Sequence, residues 1–396
     1  MITAKKTREP LFHLVKRTNV PKWLPWAVRA IAIVGAFLLI GIMTFASLKI
    51  SPFKVYRTIF TGAFGNSYRM MTLLRDVAIL LLFALAVTPA FKMKFWNIGA
   101  EGQVLMGAYA CMFCIFNLGG KVNDTLLIFI SLAAALAAGA VWAVIPALFK
   151  AKWNTNETLF TLMMNYVAIQ IILYTIKIWV PGGTGTLSPS AYGNLPTIGG
   201  DNFWLSIIVA LVVTAFMFVY LRFTKHGYEI NVVGESENTA RYVGINVKKV
   251  VIRTLIFSGL ICGITGFLLV AGIDHTVSST TAEGRGFTAI LVSWLAKFNP
   301  IFMILTSLLV IFLSKGMDEV MTQNGVTNSF FSQVVIGILF LIIIGCEFFI
   351  NYKVIFRHKS TVEKTAQSVA SAPSAEPEPT GEVQEQETTD APKKEA

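Results

Sequence analysis

The sequence predicts an all-α integral membrane protein with about ten transmembrane helices, an inverted repeat and both termini in the cytoplasm. Three observations lead there. Of the 396 residues, 55% are hydrophobic and only 14% charged, with a mean hydropathy of +0.64, far from the balance of a soluble domain. Apolar runs that reach or approach the about 20 residues needed to cross a bilayer recur from Ala27 to Ile350. Basic residues gather in alternate loops, as the positive-inside rule requires of cytoplasmic segments.

The elements follow in order. A basic cytoplasmic segment, 1–26, carries Lys5, Lys6, Arg8, Lys16, Arg17 and Lys22, and it sets the first span, 27–48, running outward. No A-x-A-type cleavage site follows that run, so it reads as a retained span. The next loop, 49–75, is expected outside, yet it holds Lys49, Lys54, Arg57, Arg69 and Arg75. Its stretch "SPFKVYRTIFTGAFG" mixes aromatic and basic residues and is predicted to form an interfacial helix. Further spans are predicted at 76–91, 97–117, 125–149, 158–180, 204–222, 250–273, 282–296, 299–314 and 330–350. The second, eighth and ninth are short, which predicts that one or more of them is broken or re-entrant. Lys92 and Lys94, Lys150 and Lys152, the 223–249 segment, and Lys353, Arg357 and Lys359 mark the inner loops. Residues 27–350 are thus the transmembrane domain. The cytoplasmic end, 351–396, is an acidic tail rich in Ala, Pro, Glu, Thr and Ser that is expected to be largely disordered.

Composition also excludes some functions. The net charge of +11 is spread over short loops and forms no single basic face, so no nucleic-acid partner is expected. Cys111 and Cys114 form a CxxC inside an apolar helix with no second pair nearby, which favours packed thiols over a metal or redox site.

"AEGQ" at Ala100–Gln103 returns as "AEGR" at Ala282–Arg285, and the two open the third and eighth spans. An offset of about five spans reverses direction in the membrane, the geometry of an inverted repeat with a transport site between its halves. Asn97 or Gly99 can cap the first of these helices, and an acid such as Glu101 in the first turn gains about 0.3–1 kcal/mol from the helix dipole. The other account is that ionisable groups at membrane depth face a bundle interior or a water-filled path. Both accounts stand for Glu101, Glu283 and Arg285. Glu283 and Arg285, two residues apart, are not expected to pair within one helix. Asn165 lies more than a turn inside the fifth span and needs a hydrogen-bond partner or a solute in transit. Asn97, Glu101, Gln103, Asn165, Glu283 and Arg285 are therefore the candidate pathway residues.

Other polar groups have plainer readings. Asn154, Asn156 and Glu157 make a favourable helix start. Asp274 and His275 fall in an outer loop, as does the turn-rich run 181–200. Gly259 and Gly263 form a GxxxG for close helix contact, and Gly99, Gly102 and Gly107 are also close-packing positions. Between the sixth and seventh spans, Gly234 and Gly244 bound a short predicted helix that starts at Glu235 or Ser236 and contains Ala240, Arg241 and Tyr242. That segment is too short for a catalytic domain and suits docking.

Four ordered motifs carry a family resemblance: "NIGAEGQVLMGAYA" at 97–110, "NETLFTLMMNYVAIQ" at 156–170, "GESENTARYVGINVKK" at 234–249 and "AEGRGFTAILVSWLAKFNP" at 282–300. Over residues 27–350 the chain resembles the permease subunits of bacterial ABC importers, more narrowly the nucleoside-uptake branch of the ribose and branched-chain amino acid permease family. The resemblance implies a multi-pass protein of the bacterial cytoplasmic membrane. It also implies a second related permease, ATP-binding subunits or a fused ATPase, and an extracellular substrate-binding lipoprotein. The helix from about Glu235 to Gly244 would be the coupling helix, with Arg241 placed to meet an acidic partner and Ala240 permitting close approach. Nucleosides are the implied cargo, with sugars of the ribose type or amino acids as alternatives.

The residues support that division of labour. A P-loop needs G-x-x-x-x-G-K-[ST], and "GGKVND" at 119–124 lacks the spacing, so no enzyme activity is expected here. ATP and magnesium belong to the partner ATPase, and the chain itself needs no cofactor. An ion-coupled transporter would need carboxylates in mid-span, whereas Glu101, Glu157 and Glu283 lie near span starts. A membrane-embedded enzyme is disfavoured because neither HExxH nor a nucleophile elbow occurs.

Overall fold

The computed structural model describes residues 12–17, 21, 23–182, 186–198, 203–326 and 330–356. The chain forms two compact units, one of residues 22–347 and one of residues 1–21 with 348–396. The helices are α1 (Leu24–Leu48), α2 (Pro52–Phe64), α3 (Ser67–Lys92), α4 (Ala100–Leu118), α5 (Asp124–Trp153), α6 (Glu157–Trp179) and α7 (Phe203–Phe223). They continue with α8 (Lys225–Glu235), α9 (Glu237–Tyr242), α10 (Val247–Phe267), α11 (Arg285–Leu295), α12 (Pro300–Gln323) and α13 (Phe330–Asn351). A π-helical turn, Leu268–Asp274, extends α10.

Asparagine caps five of these helices. Asn66, Asn123, Asn156, Asn246 and Asn299 each accept a bond from a first-turn amide, satisfying a donor that the helix leaves open. Proline occupies the first positions of α1, α2 and α12, where its missing N–H costs nothing.

Among the described residues, eight helices are long and apolar enough to span a membrane, and α11 with part of α13 adds two shorter apolar helices. Each of the ten runs expected from sequence falls on one of these helices. Two length expectations need correction. The second and ninth runs are not short: α3 has 26 residues and α12 has 24. Charged residues truncated the apolar runs in sequence, but the helices continue because those charges pair with one another. Only the eighth, α11, is short, with 11 residues. The expected helix after residue 51 is α2, which packs antiparallel along the second half of α12, Thr58 beside Gln323 and Gly62 beside Glu319.

α3 and α10 form the centre of the larger unit. Every residue of α3 from Asp76 to Phe91 is buried, as expected of a helix that is apolar all round. α10 meets α5 and α4 through small residues, Gly259 and Gly263 lying against Gly139 and Ala135, and Gly266 against Val104 and Ala108. The GxxxG is thus a close helix contact, as predicted.

The smaller unit contains a two-stranded antiparallel ribbon, β1 (Phe12–Lys16) with β2 (Tyr352–Phe356), in which Leu14 pairs with Val354. Strand structure was not expected in either terminal segment. The predicted disorder of the acidic tail falls on residues 357–396, outside the described residues.

Candidate functional site

The two repeated motifs meet. The Gly284 amide donates to Glu101 Oε1 at 2.8 Å and the Gly286 amide to Glu101 Oε2 at 2.7 Å. Of the two accounts of Glu101, the cap of its own helix is corrected: its carboxylate faces the bundle interior and serves the amino-terminal amides of α11. The local backbone explains why. Gly284 adopts φ 71°, a left-handed conformation suited to glycine, and turns its amide inward. At Gly286 a Cβ would lie 2.7 Å from Glu101 Oε2, so only glycine lets the carboxylate reach that amide.

The second motif is also corrected in detail. Helix α11 begins at Arg285, leaving Ala282–Gly284 in a turn before it. Glu283 and Arg285 do pair, at 2.7 Å, because Glu283 stands in that turn at φ 52° and not on a helical surface. The spacing rule that argued against the pair applies only within a helix.

Neighbouring candidates organise the start of α4. Asn97 Oδ1 accepts from the Gly99 amide at 3.0 Å and from Gln103 Nε2 at 3.2 Å, while its Nδ2 donates to Ser258 Oγ at 3.4 Å. Gln103 Oε1 in turn accepts from Ser258 Oγ at 3.5 Å and from Cys262 Sγ at 3.4 Å. Asn165 on α6 accepts from the Gly102 amide at 2.8 Å and donates to Ile98 O at 2.9 Å. Asn97, Gln103 and Asn165 are therefore buried groups whose partners lie within the bundle.

These contacts fix direction and depth. Asn97 meets Ser258, about 17 Å along α10 from Val247 at 1.5 Å per residue, so α4 starts deep within the bundle. α4 then runs parallel to α10, while α11 runs parallel to α3, with Arg285 at the level of Asp76 and Ser293 bonded to Ala84 O at 2.9 Å. α3 ends beside the α8–α9 segment that precedes α10, since a Cβ on Gly234 would strike Lys92 O. The helices opened by the two motifs thus leave their meeting point in opposite senses, the arrangement expected of inverted repeats.

An ion cluster beside this junction was missed in sequence. Asp76 on α3 contacts Lys315 on α12 at 2.7 Å, Arg75 at 3.2 Å and Arg285 at 4.0 Å. Its signal is the Arg75–Asp76 pair and Lys315, which stand at the edges of apolar runs and read in sequence as span ends. Among the described residues, no group of three His, Cys, Asp or Glu side chains is placed to hold a metal ion.

The predicted cytoplasmic helix is divided. Gly234 and Glu235 end α8, Ser236 caps α9 by accepting from the Thr239 amide at 3.2 Å, and Gly244 follows at φ 80°. Glu235 O accepts from Lys94 Nζ at 3.4 Å, tying the segment to the end of α3. Ala240 is buried within the chain's own core, so it is not the close-approach surface expected of it. Arg241 pairs with Glu237 at 3.5 Å on the exposed side, and Tyr242 is 91% exposed. Asp274 and His275 lie where the segment 186–198 packs, with Ser190 N donating to His275 O at 2.7 Å and Thr276 Oγ1 to Leu187 O at 2.8 Å.

Comparison with known proteins agrees with this architecture. Residues 69–344 match the family described as the branched-chain amino acid transport system permease component. The chain is similar to the glucose ABC transporter permease protein TsgB13 of Haloferax volcanii, 28% identical over 86% of this chain and 93% of the relative. It is similar to two guanosine ABC transporter permease proteins of Bacillus subtilis. NupP is 28% identical over 73% of this chain and 84% of its own length, and NupQ is 29% identical over 57% and 73%. With its apolar helices and its match over most of the chain, this multi-pass membrane protein belongs to the family of ABC transporter permeases described as the branched-chain amino acid transport system permease component.

Proposed function

We propose that the chain is the transmembrane permease subunit of an importer that moves nucleosides across the bacterial cytoplasmic membrane, driven by ATP hydrolysis in separate ATPase subunits. The observation that carries a transport role is the Glu101 junction, where oppositely directed helices meet deep in the bundle. Both Glu101 oxygens are engaged by amides and Asp76 is engaged by cations, which leaves neither poised to carry a coupling proton or sodium ion. Similarity to NupP and NupQ supports nucleoside cargo, and the presence of both in one organism supports a second, related permease as partner.

Coupling falls to α9. Its exposed residues, Glu237, Arg241 and Tyr242, form the surface that an ATPase groove would take, and the buried Ala240 and the contact of Gly234 with Lys92 fix the segment to the bundle. An extracellular binding protein delivers the cargo. A sugar importer is the second reading, favoured by the similarity to TsgB13 over almost its whole length.

The test is uptake of labelled uridine, adenosine, ribose, glucose and leucine into proteoliposomes. These hold the chain with its partner permease, ATPase and binding protein, with and without internal ATP. Nucleoside uptake that needs both ATP and the binding protein supports the proposal. Sugar uptake alone selects the second reading, and uptake by this chain alone on an ion gradient overturns both.

A further inference from the structure

We infer that Phe287 and Trp294 on the exposed side of α11, with Glu283 in the turn before it and Trp96 beside it, line the cargo path: the aromatic rings stack on a nucleobase and the Glu283 carboxylate accepts hydrogen bonds from ribose hydroxyls. The inference rests on the nucleoside reading above. α11 buries Gly286, Ala289, Val292 and Ser293 against α3, α4 and α12. Phe287 and Trp294, seven residues apart, lie on one side of α11, and Glu283 stands in the turn that leads into it. The Glu283 side chain is 63% exposed, Phe287 44% and Trp294 42%. Trp96, 43% exposed, lies with its ring 5.5 Å from that of Trp294.

Depth decides what this stripe can face. Glu283 pairs with Arg285, which reaches Asp76, nine residues into α3 and so about 14 Å from its first residue. α3 is about 39 Å long at 1.5 Å per residue, against a hydrocarbon thickness of about 30 Å, so Glu283 sits within the apolar slab. An exposed carboxylate is costly against lipid chains and belongs on a water-filled route.

The two motifs differ in a way that frees this group. Glu101 is fully used by the amides of α11, and the corresponding amide on α4, Gly102 N–H, is already taken by Asn165. Glu283 therefore turns outward, held by Arg285 and by a left-handed backbone that a non-glycine residue rarely adopts and that tends to persist at functional sites. Aromatic faces accept any base, whereas the carboxylate asks for hydroxyl donors. A nucleoside offers both.

The experiment uses the complete transporter in proteoliposomes with guanosine as the probe. Glu283→Gln and Phe287→Leu are each expected to lower maximal guanosine uptake about ten-fold, the loss of one charge-assisted bond or one stacking contact, while assembly and ATP hydrolysis persist. Phe287→Cys is expected to react with a water-soluble methanethiosulfonate, above the background of the four native cysteines, and several-fold more slowly during guanosine turnover. A Phe287→Cys thiol that only membrane-permeant reagents reach, or one that crosslinks to the second permease, would overturn the inference. So would variants that transport normally and label at a rate indifferent to guanosine. These results fault the stripe alone when the wild type carries guanosine. A wild type that carries glucose and no nucleoside faults the reading beneath it.

Discussion

The Gly286 amide donates to Glu101 Oε2 across 2.7 Å, joining the first turns of two helices that are 185 residues apart in sequence. With Gly284 on the other oxygen, one carboxylate supplies acceptors for two of the orphan donors at the start of α11 and adds negative charge at the positive end of its dipole. The two bonds pin the halves of the repeat together.

Replacing Glu101 with Gln tests that pin. The variant keeps its shape but turns an NH2 group toward one amide donor, so one of the two bonds is lost. A loss of about 1–3 kcal/mol follows from a charged acceptor withdrawn from a buried amide. The purified protein should melt a few degrees lower, and transport should fall with stability and not with cargo affinity. Unchanged melting would remove the pin from the account.

The Asp76–Lys315 pair is a second joint, between α3 and α12. Asp76→Asn leaves Lys315 and Arg285 facing each other without their shared anion and should cost about 1–3 kcal/mol, less than a fully buried pair because the Lys315 side chain is 38% exposed. Adding Lys315→Met should restore part of the loss. A double-mutant cycle on thermal midpoints reads the coupling, and additive effects would show that the two do not act together.

How far the sequence foretold these joints depends on the kind of signal each left. Glu101 and the echo at Glu283 were visible because identical letters recur at equivalent places, and opposite running directions followed from counting spans. Their bonding was not visible: pairing a side chain on α4 with amides on α11 is a tertiary fact, and the first-turn dipole rule pointed instead to Glu101's own helix. Asp76 and Lys315 were hidden by the hydropathy criterion, which ends a span at a charge although a paired charge allows the helix to continue. Ala240 failed for a related reason. A small residue in a short polar helix reads equally as a surface for a neighbour or as a site packed against its own bundle, and only packing distinguishes the two.

Close packing yields a third prediction. A Cβ added at Gly263 would stand 2.5 Å from Ala135 O and 2.9 Å from the Leu136 Cα, both of them backbone atoms. Gly263→Ala must therefore push α10 away from α5, at about 1–3 kcal/mol for an overpacked contact. Gly337→Ala on α13, with nothing within 4 Å, should be neutral or stabilising by up to about 1 kcal/mol through helix propensity. Melting curves of the two variants should move in opposite directions or leave the second unmoved. A shared drop would mean that glycine is needed for flexibility and not for space.

His226 opens α8 and is buried, with Tyr220 Oη bonded to its Nδ1 and Thr254 Oγ1 3.4 Å from its Nε2. Burial pushes its pKa below the usual 6.5; Arg253 lowers it further, and Glu229 and a backbone bond to Val250 partly oppose the shift. The folded state thus binds this proton less readily than the unfolded state does. Stability from this group is fully present above pH 6.5, where both states are neutral, and it is lost as the pH falls from there toward the depressed folded value. Thermal midpoints between pH 8 and pH 5 should fall on the acid side of that window in the wild type. His226→Gln keeps a hydrogen-bonding side chain without a titrating group, so its midpoint should lack that component of the slope. Identical pH profiles for the two proteins would show that His226 carries no acid sensitivity at the root of the α8–α9 segment.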